Sequence, residues 1–178
     1  LGNAEQMGEG WSDLMTLILH ANAADTGTTN RGVGTYAQFA PPDGVGIRLF
    51  PYNTDMNVNP ETYNSIITNG TSPHSLGEVW AAMYWEVYWN LVSAHGFDAD
   101  LYTGNGGNNL ALQLVMDGLK LQPCRPTFVQ ARNAILQADV VDNGGANRCL
   151  IWRGFAKRGL GVNASAGHER HSRTMNEA

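Results

Sequence analysis

Two carboxylates stand four residues apart in Met7-Gly8-Glu9-Gly10-Trp11-Ser12-Asp13, just ahead of the apolar run Leu14, Met15, Leu17, Ile18 and Leu19. In a helix that spacing stacks both acids on one face, where like charges repel by about 0.2–0.5 kcal/mol. A cation beside them removes the conflict. A metal ion would do so with Glu9 as an oxygen ligand and Asp13 holding the free ring nitrogen of a ligating histidine. The plainer alternative is a pair of solvated acids in a first helical turn, where the macrodipole favours them. His74 is the next candidate, placed after Pro73 and the Gly70-Thr71-Ser72 turn, at the mouth of a long apolar pattern. A histidine there caps or packs, or serves as a positioned acid. Arg48 is the lone cation of Gly46-Ile47-Arg48-Leu49-Phe50-Pro51-Tyr52. It either lies over apolar neighbours or offers its fork to a carbonyl or carboxylate.

These residues need elements to hold them. Met7, Trp11, Leu14, Met15 and Ile18 fall at helical spacing, with Leu17 widening the face, and predict a buried helix over 6–24. Residues 25–59 lose periodicity and carry Gly27, Gly32, Gly34, Pro41, Pro42, Gly44, Gly46 and Pro51. Irregular stretches of that length in compact domains usually carry function. A second long helix is expected over 75–95, striped by Leu76, Val79, Trp80, Met83, Val87, Tyr88, Leu91 and Val92, and stopped by Gly96. Its only acids are Glu78 and Glu86. Asp98 and Asp100 read as turn residues, because the ligand spacing of a calcium loop is missing; whether calcium is needed stays open. Three shorter helices follow: one capped by Asn108 or Asn109 and reaching Leu121, one with Pro126 in its first turn reaching about Asp139, and one between Gly144-Gly145 and Gly159. The fold class is mainly α, with one domain over 1–161 and a polar tail over 162–178.

Composition narrows the function classes. With 178 residues and 43% hydrophobic content the chain can bury one sizeable core. A net charge of -5 with no basic stripe argues against nucleic acid as a partner. No apolar run approaches the ~20 residues of a membrane span. No signal peptide opens the chain, and Leu1-Gly2-Asn3-Ala4-Glu5-Gln6 reads as a piece of something longer. Asn69-Gly70-Thr71 and Asn163-Ala164-Ser165 are glycosylation sequons in stretches expected to be exposed. With low lysine content and two cysteines, they favour a secreted protein in which Cys124 and Cys149 are bridged, a link of about 3 kcal/mol in the chain-entropy picture. His168-Glu169-Arg170-His171 imitates a metal motif, but its histidines are three apart and no apolar face supports them.

The Met7–Asp13 run, Gly46-Ile47-Arg48 with Pro51-Tyr52-Asn53-Thr54-Asp55-Met56, His74 with Gly77-Glu78-Val79-Trp80, Asp117-Gly118-Leu119-Lys120-Leu121-Gln122-Pro123-Cys124, Phe128-Val129-Gln130-Ala131-Arg132 and Ala156-Lys157-Arg158-Gly159-Leu160-Gly161 together resemble the fungalysin family. These are secreted fungal zinc metalloproteinases, distantly related to thermolysin. The resemblance covers 7–161 and implies the C-terminal helical lobe of a thermolysin-like metalloproteinase catalytic domain. It implies one Zn²⁺, held by two histidines of a His-Glu-x-x-His helix outside this chain and by Glu9, the two-His, one-Glu set of thermolysin. Asp13 then orients a zinc histidine, His74 stabilises the oxyanion, and Arg48, by a looser match, binds a substrate carbonyl. The implied partners are protein or peptide substrates, the N-terminal lobe of the same enzyme and a propeptide in the precursor, and the location is extracellular. The 178 residues contain no His-Glu-x-x-His, so the chain alone is expected to be inactive. The alternative is a secreted, non-catalytic helical binding module derived from such a lobe.

Overall fold

The broad stripe of the second long pattern becomes a helix of 23 residues, Pro73–His95, and the rest of the chain is laid around it. A computed structural model describes residues 5–166, and the 168–171 segment lies outside them. In chain order the helices are α1 (Gly8–His20), α2 (Ser65–Thr68), α3 (Pro73–His95), α4 (Gly107–Leu121), α5 (Phe128–Asn143) and α6 (Arg148–Lys157), with a 3-10 turn at Tyr36–Gln38. No strand forms among the described residues. Two isolated bridges, Arg31 with Tyr52 and Val33 with Gly46, tie the long irregular stretch to itself.

Helix α3 is buried from Leu76 through Trp89 without interruption. A helix apolar on every side has to be covered on every side. Helices α1, α4 and α6 pack directly on it, and α5 closes the outer layer over α4 and α6. Trp80 is the centre of the core, with ring contacts to Trp11 at 4.9 Å, Phe128 at 5.3 Å and Phe155 at 5.6 Å. Such aromatic pairs add about 0.5–1.5 kcal/mol each beyond area burial. Gly96 ends α3 at φ +79, as the sequence predicts. No described helix is long and apolar enough to cross a membrane.

Several expectations are corrected. Helix α1 stops at His20 rather than near 24, where Ala21 turns extended and Asn22 and Asp25 build a turn of their own. Pro126 lies outside α5, which Thr127 caps by accepting from Gln130 N while the Gln130 side chain accepts from Thr127 N. Asp98 and Asp100 accept from the backbone N–H groups of the 100–105 turn and are turn residues as read. The short α2 carries too few residues to print a period. Packing reaches past the expected boundary to Ala164, which joins the core.

The expected Cys124–Cys149 bridge is not formed: both thiols are free and exposed. The reason is α5. Cys124 precedes its first turn and Cys149 follows its last, and a helix of 16 residues spans about 24 Å, far beyond the ~7 Å Cα separation a disulfide tolerates. Loop-closure entropy says how much a bridge stabilises and nothing about whether a rigid rod holds its ends apart.

Candidate active site

Local sequence sets the start of α3. Ser72 is the N-cap, its hydroxyl accepting from His74 N at 3.3 Å, and Pro73 takes the first helical position, where its missing N–H costs nothing. His74 therefore emerges from the first turn, facing solvent. Helix α1 crosses here at a glycine pair. A Cβ on Gly10 would stand 2.1 Å from the Gly77 carbonyl oxygen, and one on Gly77 would stand 2.4 Å from Gly10 N. Any side chain at either position would push the helices apart. The close crossing brings Glu9 beside His74, with Nδ1 of the imidazole 3.2 Å from Oε2 of the carboxylate. Both side chains stay open, 43% exposed for Glu9 and 60% for His74.

One turn further along α1, Asp13 is buried. Arg48 grips it with two parallel hydrogen bonds, Nε to Oδ2 at 2.6 Å and Nη2 to Oδ1 at 2.7 Å, and the Tyr52 hydroxyl donates to Oδ2 at 2.5 Å. Nη2 of Arg48 is also 4.0 Å from Oε2 of Glu9. The cation that two stacked acids call for is thus Arg48, supplied 35 residues downstream of Asp13. The Asp13 hydrogen bond raises the pKa of Arg48, against burial that lowers it. Burial first, and then the adjacent Asp13 charge, push Tyr52 well above the ordinary phenol range, so it remains a donor.

Arg48 is held in turn by α3. The buried Glu78 accepts from Leu49 N at 3.0 Å and Phe50 N at 2.8 Å, fixing the backbone just after the arginine. Burial raises the pKa of Glu78, and those two N–H groups and Arg48 oppose the rise. The fold therefore gathers Glu9, Asp13, Arg48 and His74 at one corner. It does not gather Cys124, Cys149, Asn69 or Asn163 there. Asn69 is half-buried rather than exposed, donating to Glu61 Oε1 at 2.8 Å, whereas Asn163 faces solvent as expected. Tyr52 and Glu78 are the supporting residues that sequence reasoning missed. An acid on an otherwise uncharged apolar stripe was the available signal for Glu78.

None of the Arg48 hydrogen bonds among the described residues uses Nη1. No cluster of three or more His, Cys, Asp or Glu side chains able to hold a metal occurs among the described residues. Glu9 presents a partly exposed carboxylate beside His74 at 3.2 Å and Arg48 at 4.0 Å, backed by a clamped second acid. That donor chemistry fits one ligand of a metal sphere whose other donors come from elsewhere.

The profile of the fungalysin metallopeptidase (M36) family matches residues 1–164. The chain is 46% identical over 165 residues to the extracellular metalloproteinase MEP of Fusarium vanettenii, an alignment covering 89% of this chain and 25% of that protein. It is 48% identical over 166 residues to the extracellular metalloproteinase mep of Aspergillus niger, covering 89% and 26%. With the extracellular metalloproteinase 1 of Trichophyton equinum it shares 46% over 164 residues, covering 89% and 26%. The chain spans about a quarter of the length of these relatives. A helical body, a corner built from a glycine crossing, and a profile that matches nearly every residue lead to one conclusion: the chain belongs to the fungalysin metallopeptidase family.

Proposed function

We propose that this chain is the C-terminal helical lobe of a secreted zinc metalloendopeptidase that cleaves extracellular proteins, with Glu9 as the carboxylate ligand of a single zinc. The observation that carries the reading is the asymmetry of the two acids on α1. Asp13 is clamped by Arg48 and Tyr52, while Glu9, four residues earlier, keeps an open oxygen beside His74.

Bound zinc supplies Lewis acidity toward the scissile carbonyl and acidifies a water. The residues of this chain do the rest of the positioning. Glu9 contributes an anionic oxygen from the first turn of a helix anchored at the Gly10–Gly77 crossing, so its carboxylate is pre-placed. Asp13 accepts the ring N–H of a ligating histidine on the lone-pair capacity left on Oδ1, because Arg48 and Tyr52 together occupy Oδ2, which fixes that ring's tautomer and tilt. His74 donates an N–H toward the carbonyl oxygen as negative charge develops there, a contact that strengthens only in the transition state. Arg48, locked by Asp13 and by Glu78 through the following backbone, directs Nη1 at a substrate carbonyl next to the scissile bond. The general base and both histidine ligands come from a part of the intact enzyme outside these 178 residues, so this lobe alone hydrolyses no peptide.

The decisive experiment is Glu9→Gln in the intact enzyme, with zinc measured by elemental analysis and the fold by circular dichroism. Loss of an orienting partner alone costs about 10–100-fold in metal affinity, and loss of a direct ligand costs more. The variant is expected to lose zinc and activity together while keeping its helical signal, because the Glu9 side chain is 43% exposed. A fully metallated variant would overturn the assignment.

A further inference from the structure

At the other end of α3, roughly 30 Å from His74 by helix rise, lies a groove of about 680 Å³ between the 97–106 segment, α4 and the α5–α6 turn. Neither Glu9 nor Arg48 lines it, and none of its lining residues carries a fixed charge. We infer that this groove, with Tyr102 as its platform, binds a neutral saccharide.

Its chemistry is that of uncommitted amides around an aromatic ring. Tyr102 is 99% exposed, its ring uncovered among the described residues. Asn105 uses its backbone N–H on Asp98, while its exposed side-chain amide makes no hydrogen bond among the described residues. Gln113 donates from Nε2 to Asp117, leaving Oε1 as an open acceptor. Asn143 Nδ2 is buried at the groove without any partner. His95 donates from Nε2 to Asn147 Oδ1 at 2.8 Å, which in the neutral ring leaves Nδ1 as an acceptor. The exposed thioether of Met116 adds soft apolar surface.

A hydroxyl donates and accepts at the same atom, so a polyol suits a wall that offers both donors and acceptors. An anion finds no countercharge among the lining residues, and an extended peptide finds no strand edge among the described residues to pair with. The flat C–H face of a pyranose matches an exposed tyrosine, which offers apolar area with a polar tip. The inference is independent of the zinc assignment: Glu9→Gln is expected to leave saccharide binding intact.

The test is calorimetric titration of the intact peptidase with neutral hexasaccharides of β-1,4-glucose, β-1,3-glucose, N-acetylglucosamine and mannose, with a neutral Gly/Ser/Asn hexapeptide alongside. At least one sugar is expected to bind saturably. Tyr102→Ala is expected to weaken it about tenfold or more and Asn105→Ala by less, with cleavage of a short soluble peptide unchanged. Both residues are exposed, so the variants fold. Three results would overturn the proposal: no saturable binding of any of these sugars at millimolar concentration, binding indifferent to Tyr102→Ala, or binding of the hexapeptide alone.

Discussion

Helix α3 meets charge at two places, and they are built on opposite plans. In its middle, Glu86 receives Arg158 Nε at 2.9 Å and Lys157 Nζ at 2.8 Å. The remaining donors of Arg158 go to backbone oxygens of Asn59, Glu61 and Asn53 at 2.7–2.9 Å. Arg158 is fully buried and has no described donor to spare. Burial pulls its pKa down and Glu86 opposes that. At the N-terminal end the same ingredients leave ends open: among the described residues Arg48 makes no hydrogen bond through Nη1, Glu9 faces out, and His74 pairs with Glu9 alone. A closed charge network stitches loops to a core. An open one, equally well anchored behind, presents groups to something outside the chain.

The sharpest way to break the comparison is to remove the closed network's cation. Arg158→Ala would leave Glu86 buried with only the partly exposed Lys157 and would orphan several carbonyls. Removing one partner of a buried pair costs about 3–5 kcal/mol, so chemical denaturation should show a loss of that order. A loss under about 1 kcal/mol would mean that the 53–61 segment is held by other contacts. At the open end the outcome should be reversed. His74→Ala is expected to leave stability and zinc content unchanged, because the ring is 60% exposed, while turnover falls about 10²–10³-fold, as when one oxyanion donor is lost. Unchanged turnover on a peptide substrate would remove His74 from the mechanism.

The two plans also differ in how far the sequence disclosed them. The open corner was legible because its parts are short-range: the Glu9/Asp13 spacing on one helix, and a histidine at the start of another. What joined them was not. Asp13 is clamped from 35 residues away by Arg48, and the Gly10–Gly77 crossing has no period to read. The closed network was invisible for the same reason. Arg158 bonds to groups 97 to 105 residues distant, and a basic residue near a helix end reads as a solvated charge. Helix α3 was recoverable because apolar residues wrap it, yet the burial of Glu78 and Glu86 follows from their partners and not from their neighbours in sequence. The cysteine pairing failed because a count of thiols carries no distances.

Glu61 couples the two networks, and its titration measures the coupling. It is 2% exposed, with Oε1 accepting from Asn69 and Oε2 buried without a partner. Burial foremost, and then the charge of Glu78 from the open corner, push its pKa up to about 8, against the pull of Arg158 from the closed one. The unfolded chain releases this proton near 4.5. Between those values the folded chain holds a proton that the unfolded chain has lost, so stability is fully present below about pH 4.5, declines as pH rises toward 8, and levels off above. One such proton gives a slope of at most about 1.4 kcal/mol per pH unit. Glu5 and Glu78 are also raised by burial and act in the same direction. Glu61→Gln keeps an acceptor for Asn69 and removes the titration, so unfolding midpoints measured between pH 5 and 8 should fall less steeply in the variant. Equal slopes in variant and parent would show that the charge of Glu61 is already compensated in the folded chain and that the two networks titrate independently.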